Sequence, residues 1–348
     1  MPAPKKISYK DAGVDISNAD QTKREMSASL KTDNPLVLNA FGAFASLVDG
    51  KFEGYDHPVL VCKTEEPGSK QLLAFQHKRV EGICFDMINH LINDVIVMGA
   101  KPLFIQDLIV CGKMEREVIK QLVDGISKAC KKEGCVLTGG ETSEQPGVLQ
   151  PGTYVLGASA IGVVEKRKIV DGKAIRPGDV VLAVASSGLH TNGYTLVRAL
   201  LKQKPGLAES DVDGVTFLDA ILEPHRCYYT ALKDLFDDAG LHGMAHITGG
   251  GVPGNLNRVL PEGVDAKIDS AKIKILPVFK AVQRESGNDD ADMIRTFNLG
   301  VGITLVVDPA FADKAMAHLK KHAMDCYPIG TIVGDGSQEV HMEGKLAW

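Results

Sequence analysis

The polar side chains with the clearest chemical potential lie in residues 82–98, where apolar positions recur with a helical period. At about 100° per residue, the face opposite the apolar stripe carries five short polar side chains: Asp86, Asn89, His90, Asn93 and Asp94. Asp, Asn and His lower helix propensity, and this face has none of the Lys or Glu that is typical of a solvated surface. Carboxylates and amides can hold Mg²⁺ and its phosphates through oxygen. The face therefore predicts a metal–phosphate site, with a plain solvated face as the alternative.

A second set of polar residues lies around two strands that follow this helix. Asp107 is a candidate third carboxylate within an otherwise apolar strand, with an edge-strand or capping role as the alternative. Thr138-Gly139-Gly140-Glu141-Thr142 follows the next strand. Paired glycines let backbone N–H groups approach an anion closely, and Glu141 could reach a metal or a hydroxyl. Most glycine pairs are only turns, so the motif is weak by itself.

Two loops in the second half each lead from a strand into a helix, at residues 186–193 and 248–255. Backbone N–H groups at the start of a helix suit a phosphate. The first loop adds Ser187, His190 and Asn192, and the second adds Thr248-Gly249-Gly250. Together the two loops favour an enzyme that handles phosphates.

Composition and missing motifs exclude several other classes. The chain has no Gly-x₄-Gly-Lys-Ser/Thr, no Gly-x-Ser-x-Gly and no His-Glu-x-x-His. Its formal charge is −5, without a basic block, which argues against nucleic-acid binding. Seven scattered cysteines without a Cys-x-x-Cys argue against a zinc ribbon or disulfide framework. We expect a soluble, cytoplasmic protein that does not bind membranes, because no secretory signal or continuously apolar span is present.

The elements that must position these residues follow from periodicity over 348 residues, a length that suggests two domains. Predicted strands lie at residues 57–62, 102–108, 135–138, 154–164, 180–185, 242–247, 300–307 and 327–333, and residues 64–70 form a polar turn. Predicted helices lie at residues 20–30, 82–98, 115–132, 193–201, 228–238 and 309–323, with another opened by 248–254. Such alternation is typical of an α/β or α+β class. A charged linker at 165–176 predicts domains 1–165 and 166–348.

Read together, these motifs resemble the phosphoribosylformylglycinamidine cyclo-ligase (aminoimidazole ribonucleotide synthetase) family over essentially the whole chain. In the first half the matching residues are Ser8-Tyr9-Lys10-Asp11-Ala12-Gly13-Val14-Asp15, Asn93-Asp94 with Gly99-Ala100-x-Pro102-Leu103-Phe104, and Gly139-Gly140-Glu141-Thr142 with Pro146-Gly147. In the second half they are Ser186-Ser187-Gly188-x-His190-x-Asn192-Gly193-Tyr194, Ala245-His246-x-Thr248-Gly249-Gly250-Gly251, and Arg295-Thr296-Phe297-Asn298-x-Gly300-Val301-Gly302.

The resemblance implies a homodimer of two-domain α/β (α+β) subunits. The N-terminal sheets would pair across the dimer into a barrel-like core, and the C-terminal domain would hold a mixed sheet with helices. It also implies that ATP and Mg²⁺ are used to close the imidazole ring of formylglycinamidine ribonucleotide, a small-molecule nucleotide, in de novo purine biosynthesis. Phosphorylation turns the formyl amide oxygen into part of a good leaving group, after which the amidine nitrogen attacks that carbon and phosphate departs.

The resemblance also assigns roles to individual residues. The implied ATP-binding residues are Gly68, Ser69, Lys70, Asp86, Asn93, Asp94, Gly139, Gly140 and Glu141. The implied substrate-binding residues are Ser187, His190, Asn192, Thr248, Gly249 and Gly250, and the implied metal ligands are Glu65, Asp86 and Asp94. The implied catalytic residues are Lys70, Asp94 and His190. An unperturbed histidine has a pKa near ~6.5 and suits a proton shuttle; a structural or helix-capping role for His190 is the alternative.

The nucleotide loop departs from the family's Thr-Asp-Gly-Val-Gly-Thr-Lys, because here it reads Thr64-Glu65-Glu66-Pro67-Gly68-Ser69-Lys70. Glu65 keeps a carboxylate on a longer arm, Glu66 adds a negative charge beside the expected triphosphate, and Pro67 removes one N–H donor. A divergent paralogue with another substrate and a non-catalytic nucleotide-binding protein therefore stay open. Among superfamily members, selenophosphate synthetase is disfavoured because no cysteine precedes Cys62. The hydrogenase maturation dehydratase is disfavoured because the chain ends in Trp348 and not in cysteine.

Overall fold

The computed structural model describes residues 15–39 and 44–348. The opening signature at residues 8–15, apart from Asp15, and part of the Gly/Ala/Phe stretch at 41–47 lie outside the described residues. Within the described ranges, no helix is long and apolar enough to cross a membrane.

The first half of the chain forms a four-stranded sheet with helices packed on it. Its elements are α1 (Ile16–Met26), β1 (Pro58–Glu65), α2 (Lys70–Gln76), α3 (Val80–Ile96), β2 (Lys101–Cys111), α4 (Arg116–Lys132), β3 (Val136–Glu144) and β4 (Tyr154–Glu165). The strand order is β1-β4-β2-β3, with β2 and β3 parallel and the other neighbours antiparallel. Exposure alternates along β1, as expected for a sheet with one face covered.

The second half forms a six-stranded mixed sheet, a small hairpin and further helices. Its elements are β5 (Val180–Ala185), α5 (Tyr194–Gln203), β6 (Asp211–Val212), β7 (Val215–Thr216), α6 (Phe217–Leu222), α7 (Tyr229–Leu232), β8 (Leu241–His246), α8 (Gly251–Leu256), β9 (Gly263–Asp269), α9 (Pro277–Ser286), α10 (Asp290–Thr296), β10 (Val301–Val307), α11 (Pro309–Lys321), β11 (Cys326–Gly336) and β12 (Val340–Glu343). The order is β12-β9-β11-β5-β10-β8. The central strand β10 is buried at every position, which explains its continuous apolar run.

The two sheets share one apolar core. Side chains of α3 and α4, such as Ile92 and Ile126, belong to the same buried cluster as Val184 of β5 and Leu305 of β10. Helix α3 is therefore enclosed between the N-terminal sheet and the second half of the chain. Because so much of its surface is covered, its polar face is also buried rather than solvated.

The predicted two-domain α/β class is confirmed, and several local predictions need correction. Residues 228–238 form the short helix α7 and a 3₁₀ turn, not one long helix. The Thr138–Thr142 motif lies inside β3 instead of after a strand. The polar turn at 64–70 is shorter than predicted, because β1 continues to Glu65 and α2 begins at Lys70. Among the described residues, strands β6, β7, β9 and β12 and helices α2, α6, α9 and α10 were not predicted.

Gly193 fixes the end of the 186–193 loop, and its replacement tests that geometry. It has φ of 82°, and a Cβ would lie 2.0 Å from the buried Phe297 ring. We expect Gly193→Ala to lower the free energy of unfolding by about 1–3 kcal/mol through overpacking, with roughly 1 kcal/mol more from the left-handed backbone. Urea unfolding measures the change. Gly206→Ala is the control, because a Cβ there would have no heavy atom within 4 Å; equal losses in both variants would contradict the prediction.

Candidate functional site

The amides on the polar face of α3 bind the backbone of the second domain. Asn89 Nδ2 donates to the His225 carbonyl at 2.6 Å, and Asn93 Nδ2 donates to the Arg226 carbonyl at 2.8 Å. Asn93 Oδ1 also accepts from the Tyr228 N–H at 3.1 Å. Side-chain amides that satisfy buried backbone groups stabilise a domain contact. The solvated-face alternative is therefore wrong, and these two asparagines hold the segment 225–228 in place.

Lys70 and Asp86 form a buried ion pair. Lys70 Nζ donates to Asp86 Oδ1 at 2.8 Å, to the His190 carbonyl at 3.2 Å and to the Glu223 carbonyl at 2.7 Å. An ammonium has three donors, so all of them are used. Asp86 Oδ1 also accepts from the His225 N–H at 2.7 Å, and burial raises the Asp86 pKa to about 6 although Lys70 opposes the rise.

This pairing corrects the roles expected for both residues. The Lys70 and Asp86 side chains are 0% and 1% exposed, so neither presents a free charge to a nucleotide or to a hydrated metal. Lys70 instead connects α2 to α3 and to two carbonyls of the second domain. In this structure Lys70 is therefore not placed to bind ATP or to act in catalysis, and Asp86 is not placed to bind ATP or a metal.

Asp94 lies at the centre of a charged group at the domain interface. Its Oδ1 accepts from His246 Nδ1 at 2.7 Å, and its Oδ2 lies 3.1 Å from Lys63 Nζ. Lys63 Nζ also contacts Glu65 at 2.7 Å. Burial would raise the Asp94 pKa, but the hydrogen bond from His246 and the nearby positive charges hold it well below its usual value. Asp94 is therefore ionised throughout the physiological pH range.

His190 is buried in the second domain. Its ring is 1% exposed and stacks on His225 with 3.8 Å between centroids. Burial lowers the pKa of His190 well below its ordinary value, so the imidazole stays neutral at physiological pH. Its Nε2 accepts a 3.3 Å hydrogen bond from the Ser187 N–H. The geometry fits the structural alternative for His190 and not a proton shuttle that exchanges with solvent.

The two predicted phosphate loops are neighbours in space. A Cβ on Gly249 would lie 3.1 Å from Asn192 Oδ1, so residues 186–193 and 248–250 form one surface. Thr248 Oγ1 donates to Asn255 Oδ1 at 3.1 Å, while Gly250 precedes the six-residue helix α8 with φ of 96°. The Ser187 hydroxyl donates to the Pro224 carbonyl at 2.8 Å. The structure thus brings the predicted substrate-binding residues together, and their roles stay predictions.

The nucleotide loop at residues 64–70, whose sequence differs from the family pattern, packs against the 186–193 loop. Pro67 is buried and Glu66 is exposed, so the Glu66 carboxylate has access to solvent. A Cβ on Gly68, whose φ is 63°, would lie 3.1 Å from the Thr191 carbonyl oxygen. Ser69 lies in the turn before α2. Gly68 is therefore required by a close backbone contact, whereas the residue at position 66 is not constrained in this way.

The Gly139-Gly140-Glu141 motif lines a different space from the Asp94 group. It borders a cavity of about 1090 Å³ that also meets Asp107 and Lys23, and none of the lining residues belongs to the Asp94 group. Ser46 Oγ donates to the Thr138 carbonyl at 2.8 Å beside it. A Cβ on Gly140 would lie 2.1 Å from Asp107 Oδ1, so Gly140 lets this carboxyl pack beneath the strand.

Asp107 gives a pH-dependent prediction, because burial raises its pKa to about 7. Between about pH 4 and pH 7 the folded chain keeps a proton that the unfolded chain releases, so this group lowers stability as pH rises. Asp107→Asn cannot lose that proton. We expect the variant's stability relative to wild type to increase from pH 4 to pH 8 by up to about 4 kcal/mol, measured by urea unfolding at each pH.

The matched control is Asp238→Asn, since an ion pair with Lys314 holds the Asp238 pKa below its usual value. Removing a group with a lowered pKa should have the opposite sign, so that variant loses relative stability as pH rises. A flat difference between Asp107→Asn and wild type across this range would contradict the raised pKa.

Three residues in or beside the Asp94 group lie outside the set predicted from sequence, namely Lys63, His225 and His246. Lys63 occupies an ordinary alternating strand position, and His225 follows Pro224 without any periodic pattern. His246 belongs to one of the motifs that resemble the family, but the sequence analysis assigns it no role. His90 lies beside them, with Nδ1 bonded to Thr191 Oγ1 at 2.9 Å; burial and the charge of His246 lower its pKa to about 4. The position of His246 at the end of a strand was a sequence feature that could have identified it as a site residue. No sequence feature identified Lys63.

The two halves of this two-domain α/β protein each match a family model. Residues 55–164 match the AIR synthase related protein N-terminal domain, and residues 176–343 match the corresponding C-terminal domain. These matches cover most of the chain, so this protein belongs to the AIR synthase related family.

Curated relatives within this family include phosphoribosylformylglycinamidine cyclo-ligases. The chain is 40% identical over 328 residues to the phosphoribosylformylglycinamidine cyclo-ligase of Nitrosococcus oceani, covering 94% of this chain and 92% of the relative. It is 41% identical over 328 residues to the cyclo-ligase of that name from Chromobacterium violaceum, covering 94% and 95%. The family resemblance drawn from the motifs is thus confirmed.

Solved structures share the fold at lower identity. E. coli HypE superposes with a TM-score of 0.68 at 18% identity, covering 94% of both chains. Thiamine-monophosphate kinase from Stenotrophomonas maltophilia gives a TM-score of 0.64 at 19% identity, covering 96% of this chain and 98% of the kinase. At this identity the likeness concerns the fold alone.

Proposed function

We propose that this protein closes the imidazole ring of formylglycinamidine ribonucleotide in an ATP-dependent reaction that yields aminoimidazole ribonucleotide for de novo purine biosynthesis. The observation that carries the proposal is the 40–41% identity to cyclo-ligases over both domains. ATP transfers its γ-phosphoryl group to the formyl amide oxygen and leaves as ADP. The amidine nitrogen then bonds to the former formyl carbon, a proton is lost, and the C–O bond breaks to release phosphate.

Glu65 and Asp94 are the residues that fit a magnesium ion. Both carboxylates already hold one cation, the Lys63 ammonium, at 2.7 Å and 3.1 Å, and carboxylate oxygens are the ligands that Mg²⁺ prefers. Mg²⁺ bound there would neutralise charge on the transferring phosphoryl group. Asp94 stays ionised for this role, and the hydrogen bond from His246 fixes the orientation of its carboxylate.

The two loops of the second domain suit the substrate. Residues 186–193 and 248–250 place hydroxyls, an amide and backbone N–H groups on one surface, as a ribonucleotide phosphate requires. Ser187, Asn192, Thr248, Gly249 and Gly250 are the proposed contacts. His190 accepts a hydrogen bond from the Ser187 N–H and so helps to position this surface. Its proposed role is that of a positioning residue and not of a proton carrier.

The remaining ATP contacts are proposed from the family pattern. Gly68, Ser69, Asn93, Gly139, Gly140 and Glu141 are the residues concerned. The exposed position of Glu66 is compatible with ATP binding, because its carboxylate can turn towards solvent. Asn93 would contribute through the geometry of the 225–228 segment that it holds.

We also propose a cytoplasmic homodimer. The outer face of the N-terminal sheet exposes Leu60, Leu108 and Val155 at 53%, 42% and 37%. They lie on three neighbouring strands, and a second copy would cover this apolar face. Pairing of this face with a second copy would build the expected barrel-like core. All seven cysteines are free thiols, as suits a reducing compartment.

The decisive test supplies purified protein with MgATP and formylglycinamidine ribonucleotide and measures ADP together with aminoimidazole ribonucleotide. Turnover of roughly 1–10³ per second that depends on both substrates supports the proposal. ATP hydrolysis with another phosphate acceptor but not with this ribonucleotide would indicate a divergent paralogue. ATP binding without turnover in folded protein would indicate a non-catalytic nucleotide-binding protein.

A further inference from the structure

Three buried histidines of the second domain, His190, His225 and His246, lie close together beside the Asp94 group. We call them the histidine cluster. His190 lies in the loop after β5, His225 between α6 and α7, and His246 at the end of β8. They are 1%, 1% and 5% exposed. One ring nitrogen from each lies within 4.8 Å of the others. The proposed cyclo-ligase reaction uses this cluster only through the contact of His246 with Asp94 and the hydrogen bond that His190 accepts from Ser187.

The cluster leaves hydrogen-bonding capacity unused. His225 Nε2 and His246 Nε2 lie 3.0 Å apart and share one hydrogen. Among the described residues, neither His190 Nδ1 nor His225 Nδ1 has a hydrogen-bond partner, although both atoms are buried. Of the other two ring nitrogens, His190 Nε2 accepts only the 3.3 Å bond from Ser187 and His246 Nδ1 donates to Asp94. Because buried polar atoms are normally satisfied, the arrangement calls for a ligand that several imidazoles can share.

We propose that the histidine cluster is a binding site for one transition-metal dication of the imidazole-preferring class, such as Zn²⁺ or Co²⁺. Three histidines with one open position form a known coordination set for zinc. His246 already donates its Nδ1 hydrogen to the Asp94 carboxylate at 2.7 Å, and such a carboxylate orients a metal-binding histidine and raises its basicity. Water would fill the remaining coordination position.

The geometry requires only small movements. Zinc–nitrogen bonds of about 2.0–2.1 Å place two ligands of a tetrahedron roughly 3.4 Å apart. The His225 and His246 nitrogens stand at 3.0 Å and the third within 4.8 Å, so shifts of about an ångström and a rotation of the stacked His190 ring complete the site. When the metal binds, the hydrogen between His225 Nε2 and His246 Nε2 moves to His225 Nδ1, so that both histidines bind as neutral imidazoles through Nε2.

The ligands select against magnesium, because imidazole nitrogen suits zinc and cobalt whereas Mg²⁺ prefers oxygen. Both His190 and His225 are held neutral by burial, which lowers their pKa well below the ordinary value, and neutral imidazole is the form that binds metal. A cavity of about 1030 Å³ bordered by Ser187 and His225 lies next to the cluster. The site shares His190 and His246 with the proposed reaction, but Co²⁺ binding is measured without ATP turnover, so either proposal can fail without the other.

The test titrates chelator-treated, full-length protein with Co²⁺ in excess Mg²⁺, and follows visible absorption and equilibrium dialysis. We expect one Co²⁺ per chain with the intense absorption of a tetrahedral site, displaced by Zn²⁺ and unaffected by Mg²⁺. His225→Gln should weaken this binding at least tenfold. His318→Gln and His322→Gln are the matched controls, because these residues and Asp234 form a partly exposed cluster on the surface.

Loss of the Co²⁺ signal in the two surface variants, but not in His225→Gln, would overturn the proposal, as would the absence of stoichiometric binding to folded protein. Circular dichroism confirms folding of each variant. A measurement on the wild type avoids mutation altogether: crystals soaked in Zn²⁺ should give an anomalous peak between His190, His225 and His246. A peak only at the surface cluster, or only at Asp179, His242 and Asp308, would also overturn it.

Discussion

Asp94→Asn should reduce the turnover number by about a hundredfold or more while the fold is retained. The substitution keeps an oxygen that can accept from His246 Nδ1, so the shape of the interface is preserved. It removes the negative charge that faces Lys63 and that would hold magnesium. Losing one preorganised electrostatic group at a reacting centre typically costs about 10²–10³ in kcat. Steady-state ADP release with saturating substrates measures the effect.

Asp124→Asn is the matched control for this substitution. Asp124 is also an aspartate in a helix paired with a lysine, Lys120, but the pair is partly exposed on α4. Its replacement should leave the turnover number within about twofold of wild type, because an exposed ion pair contributes little. Wild-type turnover in Asp94→Asn would remove Asp94 from the reacting centre. A parallel collapse of the melting temperature would instead assign it a structural role.

The sequence predicted the polar face of α3 but not what that face contacts. Short polar residues in a helix signalled that Asp86, Asn89, Asn93 and Asp94 serve something other than solvent, and all four do. Two of the contacts are to backbone carbonyls of His225 and Arg226, more than 130 positions away. A backbone carbonyl has no side-chain signature, so no pattern in the sequence reveals which segment it belongs to.

The sequence likewise does not show which groups the charged side chains of Lys70 and Asp86 contact. Lys70 is expected at the nucleotide because its loop resembles the family's nucleotide loop, and Asp86 because it lies on the polar face of its helix. Whether a charged side chain faces a cavity or another charge depends on how α2 packs on α3, which periodicity does not specify. Lys63 illustrates the converse case: its alternating position in β1 carries no signal, yet it bridges Glu65 and Asp94.

Lys70→Met should lower the free energy of unfolding by about 3–5 kcal/mol, the largest stability loss that we expect from a single substitution. Methionine fills similar volume but leaves the Asp86 carboxylate buried without its partner, and such uncompensated charges cost about that much. The carbonyls of His190 and Glu223 also lose their donor. Urea unfolding at pH 7.5 measures the loss.

A double-mutant cycle separates the charge from the packing. Asp86→Asn removes the uncompensated charge while still offering an oxygen to the His225 N–H, so Lys70→Met with Asp86→Asn should recover part of the loss. The Lys120→Met and Asp124→Asn cycle on the exposed pair of α4 is the control, with a coupling of about 0.3–0.5 kcal/mol. If the Lys70 and Asp86 substitutions were additive, the two side chains would act independently. The ion pair would then not be what joins α2, α3 and the second domain.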